Sequence, residues 1–274
     1  MNEFSVTPLG TVSPYPKGNC NCPGFLVRSG DKKILLDCGN GVSRLLKFPD
    51  VFRDLIIIIS HLHDAHYADL GCIANAKYRY HELGEFDDGE KTKVFFPLYE
   101  AFTYVKMSVN TYGLQYMGYN EIAWGNEDKG PLTYAALEHG DMKLSFFETY
   151  HDPLRKRIID TSYLKTYSIK IESNGKTLVY TSDTEYDDNF IKFCRGADLL
   201  ISEASFLKGQ NRTPGHMYAW EAGMLAREAK VKKLMLTHFW PELPKELYVN
   251  EAKEYFENTV AAEEGKKLVL KRKV

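Results

Sequence analysis

A chain of 274 residues with 44% hydrophobic and 26% charged side chains can build a sizeable core, as one large domain or two small ones, and this composition excludes a disordered or fibrous protein. A formal net charge of −2 excludes a global pull toward nucleic acid or anionic membranes. Only the end, GKKLVLKRKV, is locally basic, and a short basic terminus reads as a solvated one.

The five cysteines, Cys20, Cys22, Cys38, Cys72 and Cys194, are odd in number and unevenly spaced. That argues against a disulfide framework and for a reducing compartment. Cys20 and Cys22 lack the second pair that a zinc ribbon needs. The opening MNEFSVTPLG has neither the basic flank nor the apolar core of a signal peptide, and no apolar run approaches the ~18 residues of a membrane span. The expected location is cytoplasmic.

In chain order, EFSVTPLG, GFLVRSG, KKILLDCG and DLIIIIS read as strands parted by Gly, Pro and Asn turns, with a short helix over 42–48. A less regular, Tyr- and Phe-rich stretch follows over about 71–131, containing a strand in KVFFP and a helical pattern in PLYEAFTYVKMSVN. Strands return in LTYAALE, MKLSFFETY, YSIKIES and KTLVYTSD, the last two joined at Asn174–Gly175. Then helix and strand alternate: DDNFIKFCRG helix, DLLISEAS strand, GHMYAWEAGMLAREAK helix, KKLMLTHF strand, a helix within 247–260 and a final strand KLVLKR. Two β-rich halves that each acquire helices predict an α/β protein of sheets packed together with helices outside. With no tandem repeat and no Pro/Ser-rich linker, a single domain over 1–274 is expected.

The apolar strands end in ligand-type residues: His61 after LIIIIS, His151 after LSFFETY, Asp183 after TLVYTS, Glu203 after LLIS and His238 after LMLT. Ligands in α/β folds gather at the C-terminal ends of strands, so five such endings predict one convergent site. Imidazole and carboxylate suit Zn, Mn or Fe, and a bound dication lowers the pKa of water toward ~7. His61 and His63 alternate, so both imidazoles can reach one ion from an extended strand end. His66 follows three residues later, where a turn can aim it at a second ion. Asp183, with two oxygens, can bridge.

LLDCGNG, HLHDAH, YHDP, YTSDTEY and LTHF stand in an order that resembles the metallo-β-lactamase superfamily, and within it the branch of ribonuclease Z and related phosphodiesterases. The resemblance implies an αβ/βα four-layer sandwich with Asp37 in an orienting position. It implies one metal site of His61, His63, His151 and Asp183 and another of His66, Asp183 and His238, holding one or two Zn ions, or Mn or Fe. It also pairs Glu203 of ISEAS with His216 of TPGHMYAWEAG, the Glu orienting a His that contacts phosphate or protonates the leaving group. Thr213 as N-cap and Pro214 at the first helical position would put His216 in a first helical turn, which favours an anion.

HLHDAH departs from the family's H-x-H-x-D-H pattern at Ala65, where an acidic residue is expected. That removes a ligand from the second site and a group that handles the hydroxide's proton, a role worth about 10²–10⁴-fold. Asp64 could replace it if a tight loop turns its side chain inward. Asp69 has a weaker claim, because the first turn of the following helix also suits it.

The expected function is a metal-dependent hydrolase, a phosphodiesterase using a metal-bound hydroxide on a small or nucleotide-like phosphoester. A tRNA substrate is not expected, since the Gly- and basic-rich arm that grips tRNA in ribonuclease Z has no counterpart here. The stretch over 71–131 is read as a lid, a pocket wall, a homodimer surface or simply packing. Two alternatives stand beside this reading: a mononuclear iron oxidoreductase on the same fold, and a binding or sensing protein weakened by Ala65.

Overall fold

The structure, a computed structural model, describes residues 3–87, 89–97, 112–122, 134–149, 151 and 165–271. The helical pattern expected over 97–110 therefore lies almost wholly outside the described residues.

Two seven-stranded mixed sheets face each other. The first contains β1 (Phe4–Gly10), β2 (Gly24–Ser29), β3 (Lys32–Leu36), β4 (Leu55–Ile58), β5 (Thr92–Phe96), β6 (Met117–Glu121) and β14 (Leu268–Val269), in the order β14-β1-β2-β3-β4-β5-β6. The second contains β7 (Tyr134–His139), β8 (Met142–Thr149), β9 (Thr166–Ser173), β10 (Lys176–Tyr180), β11 (Leu199–Glu203), β12 (Leu234–Thr237) and β13 (Thr259–Ala261), in the order β13-β12-β11-β10-β9-β8-β7.

The strand period of two decides the layers. Ile34, Leu36, Ile56 and Ile58 point inward, against Ile169, Ile171, Leu199 and Ile201 of the other sheet. Their neighbours Leu35, Ile57 and Ile59 point outward, onto Leu70, Ile73 and Ala74 of the helix Leu70–Glu82. On the far side, Val179, Leu200, Leu234 and Leu236 meet the helices Asp188–Cys194, Ala219–Glu228 and Lys245–Lys253 through Phe190, Phe193, Leu225 and Tyr248. Strands apolar on both faces are what a sheet covered on both sides requires. The expected αβ/βα sandwich is present.

Three details differ from the sequence expectation. The helix Leu70–Glu82 and strand β6 occupy part of the stretch read as irregular. The buried stripe of that helix is Leu70, Ile73, Ala74 and Lys77, so a lysine completes the helical period. Its stem is buried, while Nζ lies 3.3 Å from the Phe86 ring centroid and 3.1 Å from Glu90 Oε1. Finally, the helix expected to open at Thr213–Pro214 begins at Ala219 instead. Among the described residues no helix is long and apolar enough to cross a membrane.

Candidate metal centre

Strand direction gathers the ligand-type residues. β10, β11 and β12 are mutually parallel, and β8 runs the same way because β9 is antiparallel to both β8 and β10. Their C-terminal ends therefore share one edge, which carries His151, Asp183, Glu203 and His238; β4 of the other sheet brings His61, His63 and His66. Left-handed backbone at Asp37 (φ 57°), Ser182 (φ 53°) and His238 (φ 64°) lies within or beside this edge. Such conformations cost a non-glycine residue about 1–3 kcal/mol and cluster where side chains must be aimed.

Asp183 is the hub. Its Oδ2 lies 3.1 Å from His238 Nε2, 3.4 Å from His66 Nε2 and 3.6 Å from both His61 Nε2 and His151 Nε2. Each imidazole is fixed from behind. Asp37 Oδ2 sits 2.8 Å from His66 Nδ1, and since a carboxylate only accepts, Nδ1 carries the proton. The same oxygen accepts from Tyr180 Oη at 2.7 Å and Ser60 Oγ at 2.9 Å, and Oδ1 accepts from Ser60 N at 2.7 Å. His151 Nδ1 donates to the Gly215 carbonyl at 2.8 Å. His238 Nδ1 meets Ser205 Oγ at 2.8 Å, and His61 Nδ1 meets Ser60 Oγ at 3.0 Å. This is how metal-ligating histidines are held.

Whether these residues fit a metal ion is decided by their lone pairs. Ser60 Oγ donates to Asp37 and so accepts from His61 Nδ1, leaving His61 Nε2 bare; the Gly215 bond leaves His151 Nε2 bare likewise. Both face His63 Nδ1, at 3.1 and 2.8 Å, and one proton there can satisfy only one of them. Across the site, the buried atoms His66 Nε2, His238 Nε2 and Asp183 Oδ1 make no geometrically sound hydrogen bond. Converging lone pairs and orphaned buried ligand atoms call for cations. The potential ligand atoms of His61, His63, His151 and Asp183 lie within 4.8 Å of one another, as do those of His66, Asp183 and His238. The residues fit a metal ion at both positions.

Electrostatics agree. Burial pushes the pKa of His61 well below the usual value and that of His151 down to about 4, keeping both neutral, as ligands must be. Burial acts the same way on His66, but the carboxylates of Asp183 and Asp37 override it and raise its pKa to about 10, so without a metal a proton supplies the positive charge.

Ala65 is buried, lines the cavity beside His66 and leaves the second position with three candidate ligands. Asp64 lines the cavity but belongs to neither candidate ligand set, and its Oδ1 accepts from Tyr67 Oη at 2.9 Å. Asp69 Oδ2 accepts from Ser43 N at 2.8 Å. Restoring the carboxylate with Ala65→Asp is expected to tighten the second ion by about tenfold or more. Zinc titration against a competing chelator reads this, and an unchanged second affinity would mean that another group already supplies the charge.

Glu203 and His216 meet beside this cluster. His216 Nδ1 lies 3.0 Å from Glu203 Oε1 and 3.2 Å from Oε2. The carboxylate also accepts from Thr184 N at 2.7 Å, Ser205 Oγ at 2.6 Å and Met217 N at 3.2 Å. Burial disfavours the His216 imidazolium, but Glu203 more than compensates and raises its pKa to about 9. The helix placement expected for His216 is corrected: it precedes the helix, whose N-cap is Tyr218, with the Glu221 carboxylate accepting from Tyr218 N at 2.8 Å. Gly215 explains why. It adopts φ +92°, and a Cβ there would lie 1.6 Å from the His151 carbonyl oxygen. Thr213–Pro214–Gly215 is thus a turn packed on His151, and His216 is held by Glu203 rather than by a helix dipole.

The serines and Tyr180 that fix the ligands were not singled out from sequence. Isolated hydroxyls carry no spacing signal, although Ser60 and Ser182 each lie one residue before a ligand.

These side chains floor a cavity of about 450 Å³, lined also by Ser13, Pro14, Phe206, Thr213 and Trp240. Fold and centre together define a metallo-β-lactamase-type protein, and a family model for the beta-lactamase superfamily domain matches residues 32–239. The chain belongs to that superfamily. It is 33% identical over 244 residues to "Probable metallo-hydrolase YhfI" of Bacillus subtilis, 86% of each chain being covered. The crystal structure of YhfI superposes with a TM-score of 0.80 at 30% identity, covering 97% of this chain and 99% of that one. A ribonuclease Z of Archaeoglobus fulgidus is 30% identical over 295 aligned positions, covering 95% of this chain and 96% of that protein. The short form of human tRNase Z shares the fold, with a TM-score of 0.72 at 20% identity, covering 98% of this chain and 100% of that one.

Proposed function

We propose that the protein is a metal-dependent hydrolase of phosphodiesters, acting on a small or nucleotide-like phosphoester. The observation that carries this reading is the adjacency of the Asp183-centred ligand cluster to the Glu203–His216 pair in one cavity. His61, His63, His151 and Asp183 would hold one divalent ion, and His66, Asp183 and His238 a second; zinc fits the imidazole-rich donor set. A bound dication supplies hydroxide at neutral pH and neutralises charge on the phosphoryl group.

The protein's own residues do the rest. Asp37, Ser60, Ser205 and the Gly215 carbonyl hold the imidazoles with Nε2 inward. Glu203 keeps His216 protonated at neutral pH, so that Nε2–H can donate to a phosphoryl oxygen or pass its proton to the departing alkoxide. Ala65 cannot manage the attacking water's proton as an acidic residue there would, so slow turnover is part of the proposal. Similarity to ribonuclease Z supports phosphodiester chemistry, and the cavity's size favours a small ester over a folded RNA.

Purified protein assayed for metal and for bis(p-nitrophenyl) phosphate hydrolysis tests this. One to two equivalents of Zn or Mn with measurable turnover is the expected result. One equivalent of Fe without esterase activity would overturn it and favour oxygen chemistry, in which Glu203 and His216 have no evident part.

A further inference from the structure

The polar lining of the cavity comprises the metal cluster, His216, Asp64 and the hydroxyls of Ser13, Ser205 and Thr213; the rest is different in kind. Phe206, Trp240 and Pro14 line it together with the methyl group of Ala65. None of these can bind a phosphate, yet they are held with care. Phe206 is buried and packs edge-on to Trp240 at 6.1 Å between centroids and to Tyr218 at 6.3 Å. Its backbone accepts from Ala219 N at 2.8 Å and donates to the Met217 carbonyl at 3.2 Å, which ties it to the loop bearing His216. The Phe206 ring centroid is 6.1 Å from that of His216. Ser13 N donates to the Phe239 carbonyl at 3.0 Å and Phe239 N to the Thr11 carbonyl at 3.1 Å, so the segment carrying Pro14 is pinned to the one carrying Trp240. Trp240 itself is only half-buried and lines the cavity.

A fixed aromatic wall one ring away from the proton donor restricts what the ester can carry on that side. A flat π-system stacks on tryptophan at little entropic cost, because the receiving ring is already immobilised. A flexible alkyl or sugar group gains no such contact. We propose that Trp240, backed by Phe206, is a stacking subsite that selects phosphoesters bearing a planar ring, an aryl or nucleobase group, on the His216 side. This rests on the phosphoester reading above and deepens it by naming the substrate class.

Calorimetric titration of zinc-loaded protein with AMP, ribose 5-phosphate and inorganic phosphate separates the two ideas, since AMP and ribose 5-phosphate differ in the base. AMP is expected to bind about tenfold tighter than ribose 5-phosphate. Trp240→Leu should bring that ratio close to one, and Trp240→Phe, which keeps a ring, should retain most of it. Equal affinities in the unmodified protein, or a ratio that survives Trp240→Leu, would overturn the subsite while leaving the phosphoester reading in place. No binding of any of the three would overturn the phosphoester reading and the subsite with it.

Discussion

Asp183→Asn is expected to strip the protein of tightly bound metal and to lower phosphodiester turnover by on the order of 10³-fold. The exchange is nearly isosteric, so its effect is one of charge. Asp183 Oδ2 is the atom on which four imidazole Nε2 atoms converge, at 3.1 to 3.6 Å. Burial alone would raise the pKa of this carboxyl, but His238 and His66 pull it well below the usual range, so it is an anion in the native site. An amide supplies no charge and only one oxygen, and it leaves the imidazoles facing one another around a neutral group. Because Asp183 belongs to both ligand sets, both ions are lost together. Metal analysis after gel filtration, alongside kcat on bis(p-nitrophenyl) phosphate, checks this. A variant that keeps its metal would show that Asp183 is not the shared ligand.

The second large effect is expected at the Glu203–His216 pair. His216→Ala should lower kcat by about 10²–10⁴-fold with metal content intact, because Nδ1 of this ring faces Glu203 and Ser205 while its other nitrogen is left to serve substrate. Glu203→Gln distinguishes a proton donor from a structural prop. Glu203 raises the His216 pKa, so its neutralisation lowers that pKa and the imidazolium is lost at lower pH. The alkaline limb of kcat/KM should therefore move to lower pH in Glu203→Gln. If the limb stays in place while activity falls, His216 is not the group that titrates.

The fold and the convergence of the site could be read from the chain because both follow from short-range pattern. Ile56–Ile59 alternate between two buried faces, and every strand that points at the site ends in an imidazole or carboxylate within a few residues. What the pattern does not show depends on particular side-chain contacts, some of them far apart in sequence. Gly215 must yield space to the His151 backbone, which lies 64 residues away, so Thr213–Pro214 looked like a helix start when it is a turn. Tyr218 is the true N-cap, its N–H donating to Glu221 Oε2, but Tyr is an uncommon residue there. Lys77 interrupts an otherwise apolar helical stripe, and the rings of Phe86 and Phe52 together with Glu90 make its burial tolerable. Asp64 carries the acidic group next to residue 65, and its Oδ1 is engaged by Tyr67 Oη one helical turn on, a contact the motif alone does not show.

The most direct test is an anomalous difference map at the zinc edge from crystals of the zinc-loaded protein. The predicted result is a strong peak bounded by His61 Nε2, His63 Nδ1, His151 Nε2 and Asp183, with a second, weaker one beside His66 Nε2 and His238 Nε2, its lower occupancy reflecting Ala65. Zinc elsewhere on the molecule with no peak among these residues would contradict the account.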